Sequence, residues 1–242
     1  MTIDQTAHLL GNYHKYYTFH SAESRINLLA GKDVFLNLWK SQQEPETFVY
    51  LDIGCNEGDL SHETFRLIRS ELPSSVKVIL CGADLDGELI TLAREKFSSE
   101  ENSNCYFYNV NFMIKEQVDE LRERLQKELN ISTFNLISIF STTMWIHINH
   151  GDSGLRDFFL TVKSLLTPSS GLLVEPQPAK CYTNAARRCR KMRIEYPPFL
   201  EKIDKTKAQD LITQFIGEDV ELRTAKCFGT EDWGRSLTLY SQ

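Results

Sequence analysis

Residues 48–60 read Phe-Val-Tyr-Leu-Asp-Ile-Gly-Cys-Asn-Glu-Gly-Asp-Leu, and this stretch decides the fold. Five of its first six residues are aromatic, β-branched or leucine, which is typical of a buried strand. Gly54 and Gly58 follow, and a helical apolar pattern begins after Leu60. A buried strand, a glycine turn and a helix, in that order, predict a ligand site at the carboxyl end of a parallel sheet.

The spacing of the two glycines narrows the class of ligand. Gly-x-x-x-Gly is not the Gly-x-Gly-x-x-Gly pattern of dinucleotide enzymes, and the absence of a lysine at its end excludes a P-loop. The loop resembles the nucleotide loop of Rossmann-like S-adenosylmethionine methyltransferases. A tight strand-to-helix turn without any ligand has the same appearance, so the loop alone leaves both interpretations open.

Length and composition predict one soluble α/β domain spanning residues 1–242. The start of the chain lacks the basic and apolar regions of a secretory signal. The six cysteines include no Cys-x-x-Cys pair, which argues against a zinc site and disulfides and favours a reducing, cytoplasmic location. The net charge of −6 disfavours nucleic-acid binding by the chain as a whole, so an RNA substrate requires a local basic surface.

Polar residues follow the next two predicted strands. Asp84 follows the strand over residues 76–83 and is placed to bind both hydroxyls of a ribose. Its alternative role is a helix cap, for which Asp86 is better placed. The strand over residues 105–110 ends at Asn111 and Phe112, where an amide oxygen is able to accept a hydrogen bond from an adenine amine. Phe112 is suited equally to stacking on adenine and to packing in the core.

The remaining strands complete a mostly parallel sheet of seven. They are predicted at residues 134–140, 172–175, 220–228 and 236–240, the last two forming an antiparallel hairpin that closes the sheet. The fourth strand leads into a segment with His147, Asn149 and His150. Two histidines three residues apart are able to bind a metal, but no further ligand cluster accompanies them, so no metal is expected.

Two segments flanking the sheet carry unusual composition. Residues 180–193 contain six basic residues and no acid, with Lys180, Arg187 and Lys191 on one helical face. This helix is either a solvated face or, because it follows a strand tip, a surface that binds an anion. Residues 11–29 are rich in aromatic residues and are predicted either to pack on a sheet edge or to form a lid over the cofactor. They belong to an amino-terminal segment, residues 1–40, with a helix from Arg25 to about Trp39.

Several stretches together resemble the bicoid-interacting-protein-3 family of RNA methyltransferases, and within it the RNA 5′-monophosphate branch. The similar stretches lie in the amino-terminal segment, the glycine loop, two segments after strands four and five, and the carboxyl-terminal hairpin. They are Gly11-Asn-Tyr with Tyr16, Phe19-His20 and Arg25, Leu51 to Leu60, Thr143 to Asp152, Leu172 to Pro178, Lys180-Cys-Tyr182 with Ala185 to Arg188, and Phe228-Gly229 with Trp233 and Arg235 to Leu237.

This resemblance implies an enzyme that binds S-adenosylmethionine, releases S-adenosylhomocysteine and methylates the 5′-monophosphate of small structured RNAs such as transfer RNA or microRNA precursors. Arg25 and Asn56 would contact the methionine part, and Asp84 the ribose. Gly54 and Gly58 would shape the loop, Asn111 and Phe112 would hold the adenine, and Phe140 to Met144 would lie beside the sulfonium. The candidates for the phosphate cradle share polar side chains near the strand tips: Tyr16, His147, His150, Lys180, Tyr182, Arg187 and Arg188.

Three other functions stay open from the sequence. One is methylation of the γ-phosphate of a triphosphate RNA end, the reaction of the related capping branch. The second is methylation of a small molecule, which the acidic net charge favours slightly. The third is RNA binding without catalysis, against which Asn56, Gly58 and Asp84 argue. The protein is expected to be a monomer without a membrane partner.

Overall fold

The computed structural model describes residues 9–14, 16, 21–230 and 234–241. A seven-stranded sheet forms its centre. The strands are β1 (Thr47–Ile53), β2 (Lys77–Asp84), β3 (Cys105–Asn109), β4 (Phe134–Phe140), β5 (Leu166–Glu175), β6 (Arg223–Thr230) and β7 (Ser236–Ser241). Their order across the sheet is β3-β2-β1-β4-β5-β7-β6. The first five strands pair in parallel, and β7 is antiparallel to both β5 and β6, which confirms the predicted sheet.

Helices cover both faces of this sheet. They are α1 (Ala22–Leu29), α2 (Val34–Ser41), α3 (Asp59–Glu71), α4 (Gly87–Lys96), α5 (Lys115–Leu129), α6 (Thr143–Lys163), α7 (Ala179–Met192) and α8 (Ala208–Glu218). Buried side chains of α1, α2, α3 and α4 pack on one face, and those of α5, α6 and α8 on the other. Helix α7 packs instead on the first turns of α6, where Met144, Ile148, Tyr182 and Ala185 form a separate apolar cluster.

Strand β1 is an interior strand, the third of seven, and both of its edges are paired. Phe48 to Ile53 are all buried, since β2 lies along one edge, β4 along the other and helices cover both faces. A continuous apolar run is the pattern expected of a parallel strand that is buried on both faces. Residues 48–53 therefore form an interior strand of the sheet.

The turn after β1 requires glycine at two positions. Gly54 has φ +82°, and a Cβ atom there would lie 2.2 Å from the Thr142 side-chain oxygen. Gly58 has φ +83°, precedes α3, and a Cβ atom there would lie 2.7 Å from the Phe107 ring. Left-handed backbone and close neighbours together exclude a larger side chain. The glycine spacing thus reflects close packing of the loop against β3 and the segment after β4.

One helical segment differs from the prediction. The helix expected from Arg25 to Trp39 is two helices, because the chain turns between them with positive φ at Gly31 and Asp33. The second helix is capped by Glu71, whose Oε2 accepts hydrogen bonds from the backbone N–H groups of residues 35 and 36 at 2.8 and 3.3 Å. Helix α6 begins at Thr143, soon after β4, and bends at Gly151.

All six cysteines are free. Across the described residues, none of the helices combines the length and the apolar character needed to cross a bilayer.

Asp52 is a buried carboxylate on the interior strand β1. Its two oxygens accept hydrogen bonds from Ser61 and Ser138, each at 2.5 Å, and Ser138 also contacts the Tyr50 hydroxyl at 2.8 Å. Burial raises the pKa of Asp52 to about 6, although the two serine hydrogen bonds act in the opposite direction. The folded protein therefore retains a proton at a pH where the unfolded chain has already released it.

This shift predicts a pH dependence of stability. Between about pH 4 and pH 6 the folded state binds more protons at Asp52, so its contribution to the free energy of unfolding falls as the pH rises, by roughly 2–3 kcal/mol. Asp52→Asn does not titrate and should lose this component. Urea unfolding at pH 4.5 and pH 7 measures it, and equal pH dependence in wild type and variant would contradict the expectation.

Candidate active site

A cavity opens at the carboxyl ends of β1, β2, β3 and β4. We call it the strand-tip cavity. Its walls include Gly54, Asn56, Asp84, Asn111 and Phe140, one or more from each strand end. Because the strands are parallel, all these ends meet at the same edge of the sheet. The structure therefore brings together most of the residues that were predicted to bind the cofactor.

Asp84 is held rigidly at the wall of this cavity. One carboxylate oxygen accepts a hydrogen bond from the Asn56 backbone N–H at 2.9 Å, and the other accepts one from the Asp86 N–H at 3.0 Å. Burial raises the pKa of Asp84. Asp86, as predicted, caps helix α4, with its side chain accepting hydrogen bonds from the N–H groups of residues 88 and 89. The two acids thus have different structural roles.

Asn111 and Phe112 form the wall after β3. The Asn111 side-chain oxygen accepts a hydrogen bond from the Met113 N–H at 2.9 Å, which orients the amide. Phe112 is 7% exposed and both joins the main core and lines the cavity. The two roles considered for Phe112 are therefore compatible with each other.

Residues 9–14 cross the mouth of the strand-tip cavity. The Asn149 side chain donates to the Leu9 carbonyl, and the Asn56 side chain donates to the Tyr13 carbonyl, both at 2.9 Å. The Asn12 amide donates to the Asp86 carboxylate at 2.5 Å. Three contacts from three separate elements thus hold this segment in place. Phe19 and His20, which contributed to the resemblance, lie outside the described residues, as does Trp233.

A second cavity adjoins the first and shares Tyr16, Ser141 and Trp145 with it. We call it the basic cavity. Its volume is about 380 Å³, which is within the range of small-molecule sites. Lys180, Arg188 and Arg235 line it, and its described lining residues include no Asp or Glu. The positive side chains of this cavity are suited to binding an anion, although the chain as a whole has a net negative charge.

One face of α7 forms a wall of the basic cavity. Lys180, Asn184 and Arg188 are spaced by four residues, so they lie along one side of the helix. The Arg188 guanidinium lies 5.9 Å from the centre of the Tyr13 ring, and its Nε is buried without a hydrogen-bond partner. Arg187 is exposed and is not among the lining residues. Two adjacent arginines of the predicted cradle therefore differ in position.

His147 and Tyr182 lie behind the cavities rather than in them. Both are fully buried, and the His147 Nδ1 atom is 3.0 Å from the Tyr182 hydroxyl. The His147 Nε2 atom is 2.7 Å from an Asp152 carboxylate oxygen. The pair therefore joins α6 to α7. This arrangement does not favour the predicted direct contact of His147 with phosphate, because both nitrogens of the His147 ring already have hydrogen-bond partners.

Three other predicted residues also have informative positions. His150 lines the strand-tip cavity rather than the basic cavity, and partial burial lowers its pKa. Met144 lines the basic cavity next to Ser141. Arg25 is fully buried and lines neither cavity; its Nε donates to a Glu175 carboxylate oxygen at 2.6 Å.

Sequence reasoning missed several residues of these walls. Trp145 lies between the two cavities, beside Ser141 of the segment predicted to lie near the sulfonium, and Arg235 enters the basic cavity from the residue before β7. Glu175 lies behind Arg235. The segments that contain them were noted in the resemblance, but their spacing in sequence contains no sign that they meet. Among the described residues there is no group of three side chains suited to a metal ion.

Comparison with known proteins agrees with this geometry. The family model of Bicoid-interacting protein 3 matches residues 134–242. The "Pre-miRNA 5′-monophosphate methyltransferase" of Danio rerio is 32% identical over 95% of this chain and 91% of its own length. The "RNA 5′-monophosphate methyltransferase" of Homo sapiens is 33% identical over 95% of this chain and 79% of its own length.

The fold is that of known methyltransferases. A S-adenosylmethionine-dependent methyltransferase from Clostridium acetobutylicum superimposes with a TM-score of 0.58 at 11% identity and covers 98% of both chains. This confirms the Rossmann-like class I methyltransferase fold. Identity above 30% with relatives that match over 79% to 91% of their own length establishes the family. The chain belongs to the Bicoid-interacting protein 3 family of methyltransferases.

Proposed function

We propose that this protein uses S-adenosylmethionine to methylate the 5′-terminal monophosphate of small structured RNAs, such as transfer RNA or microRNA precursors. The observation that carries the proposal is the shared wall between the two cavities. A group held in the basic cavity lies directly beside a ligand held in the strand-tip cavity, because Tyr16, Ser141 and Trp145 line both. The names of the relatives support the same substrate class.

The strand-tip cavity fits the cofactor in chemistry. Asp84 offers a carboxylate to the two ribose hydroxyls, and the oriented Asn111 amide and the Phe112 ring offer a polar edge and a flat apolar surface to an adenine. Phe140 and Ser141 would lie near the sulfur. Arg25 would act indirectly, through Ser141, because its Nη2 lies 3.3 Å from that hydroxyl. When bound, S-adenosylmethionine supplies a methyl group attached to a positively charged sulfur.

The phosphate oxygen that accepts the methyl group needs to be positioned correctly rather than activated. A phosphate monoester has its second pKa near 6, so one of its oxygens is already a nucleophile near neutral pH. No general base is needed, and the role of the protein is to place that oxygen about 3 Å from the methyl carbon. Lys180, Arg188 and the Tyr16 hydroxyl would hold the phosphate in the basic cavity. Methylation removes one negative charge from the RNA end.

Two further features have supporting roles in this proposal. Residues 9–14 act as a lid, since their three contacts close the strand-tip cavity and would exclude water from the bound cofactor. His147 and Tyr182 position α7, so they set the location of Lys180 without touching the substrate.

Methyl transfer to RNA tests the function. Labelled methyl should pass from S-adenosylmethionine to a 5′-monophosphate RNA but not to the same RNA with a 5′-hydroxyl end. Arg188→Gln should reduce the rate of methyl transfer at low RNA concentration about tenfold or more, because the substitution removes a charged hydrogen-bond donor from the basic cavity.

Arg187→Gln is the matched control, since it removes the same charge one residue away on the exposed face. Equal losses in the two variants would show that only general electrostatics matters. Preferential methylation of a 5′-triphosphate RNA would favour the capping reaction, and equal methylation of the hydroxyl end would refute the proposal.

Asp84→Asn should weaken binding of S-adenosylhomocysteine about tenfold or more, because hydrogen bonds to a charged acceptor are stronger than those to a neutral amide. Isothermal titration calorimetry measures this affinity. Asp210→Asn is the control, because it makes the same substitution at an exposed carboxylate on α8, and Asp210 does not line the cavity. A cofactor affinity unchanged in Asp84→Asn would remove Asp84 from the site.

His147→Ala should lower turnover of RNA while the affinity for S-adenosylhomocysteine stays near that of wild type. The reason is that the buried Tyr182 hydroxyl loses its partner and α7 loses a link to α6. His62→Ala is the control. His62 lies on α3, where its side chain is hydrogen-bonded to Asn102, and its removal should leave RNA turnover unchanged. Loss of cofactor binding in His147→Ala would contradict this assignment.

A further inference from the structure

Arg235 has an unused hydrogen-bonding edge inside the basic cavity. The residue is only 8% exposed. Its Nη1 donates to the Tyr16 hydroxyl at 2.7 Å and to the Ser141 hydroxyl at 2.5 Å, so one side of the guanidinium is fixed. Its Nε is buried and has no hydrogen-bond partner. A buried donor without a partner is rare in folded proteins and indicates a ligand or another group that completes it.

The geometry of arginine defines what kind of ligand fits. Nε–H and one Nη–H group form a planar fork whose two parallel donors match two oxygens of a carboxylate or phosphate. No described residue accepts a hydrogen bond from the Nε–Nη2 side of Arg235. Arg25 uses the same two atoms for a carboxylate, with Nε 2.6 Å and Nη2 3.1 Å from the two oxygens of Glu175. The equivalent edge of Arg235 is thus available for an anion.

Glu175 stands between the two guanidinium groups. It is fully buried, and Arg25 occupies both of its oxygens. Arg235 is more distant, with Nη1 3.5 Å from Oε1. One carboxylate therefore serves two cations, and the group of three has a net charge of +1. A single positive charge remains to attract an anion at this end of the cavity.

A second cation approaches the same place from α7. A Cβ atom at Gly234 would lie 3.2 Å from the Lys180 ammonium nitrogen, so the lysine lies against the backbone next to Arg235. Gly234 has φ +76°, a conformation that favours glycine. The start of β7, the start of α7 and Tyr16 therefore converge on one volume, which borders the strand-tip cavity at Ser141.

We propose that Arg235 binds the terminal phosphate through its Nε–Nη2 edge and that Glu175 is a positioning residue that limits the charge facing that phosphate. The inference rests on the proposed function and adds the residue that selects the phosphorylated end. The partial neutralisation of the two arginines by Glu175 has a chemical reason. Without Glu175, the charges of both Arg25 and Arg235 would attract the dianion, although only Arg235 lines the cavity. They would hold the phosphate more tightly, but they would also draw electron density from the oxygen that must attack the methyl group. With Glu175 present, the phosphate is held and its oxygen stays reactive.

The test compares binding of one short RNA in two forms, with a 5′-monophosphate or a 5′-hydroxyl end, by fluorescence anisotropy in saturating S-adenosylhomocysteine. Wild type should prefer the phosphorylated form. Arg235→Lys keeps the charge but loses the fork, and should reduce this preference about tenfold. Arg187→Lys, on the exposed face of α7, should preserve it. The affinity for S-adenosylhomocysteine, measured by calorimetry, should be unchanged in both variants.

Glu175→Gln tests the positioning role of Glu175. This test can be carried out even if Arg235→Lys does not fold. Removal of the carboxylate should lower the KM for 5′-monophosphate RNA and lower kcat as well, a split that a simple structural defect would not produce. Thermal unfolding confirms that each variant is folded. Unchanged KM and kcat, or a higher KM with unchanged kcat, would overturn the positioning role.

The outcomes also separate the two proposals. If wild type neither prefers the phosphorylated RNA nor methylates it, the proposed function fails, and this inference with it. If wild type prefers and methylates that RNA but Arg235→Lys keeps the full preference, the function stands and the role of Arg235 is refuted.

Discussion

The parallel pairing of β1 with β2 on one side and β4 on the other is the constraint on which the rest of the structure depends. From β1 the chain proceeds to β2 and β3 in one direction, whereas β4 and β5 extend in the other. The connections after β1 and β4 therefore diverge and leave a crevice above adjacent strand ends. Gly54 borders this crevice, and the Thr142 side chain packs against it so closely that only a glycine fits.

A buried charge network is the second constraint. Arg25, Glu175 and Arg235 belong to α1, β5 and the residue before β7, and their side chains meet beneath Ser141. The free-energy cost of removing these charges from water offsets most of the attraction between them, so the network adds little net stability. Its effect is on geometry: α1 and the start of β7 are both held at the strand end where the two cavities adjoin. Loss of any one member would leave an uncompensated buried charge.

Local patterns were sufficient for most of the sheet and for part of the site. The apolar runs at β1 and β4, the acid after β2 and the cap at Asp86 each depend on a few consecutive residues, and the structure agrees with the sequence on all of them. His147 shows where this reasoning ends. A histidine near a strand tip suggested a direct contact with substrate, but the packing of α7 buried it against Tyr182. A sequence pattern contains no information on which neighbour satisfies a polar side chain.

The sequence by itself determined the fold class and the edge of the sheet at which the strand-tip cavity lies, because periodicity and the glycine loop are properties of short segments. The family followed from the resemblance of several such segments to known proteins. Only the tertiary structure decided which side chains form the basic cavity. Tyr16, Lys180 and Arg235 come from the amino-terminal segment, from α7 and from the start of the last strand, and the helix turn places Arg188 inward and Arg187 outward. The reason is physical: contacts between distant segments depend on strand order and helix packing, which no spacing along the chain encodes.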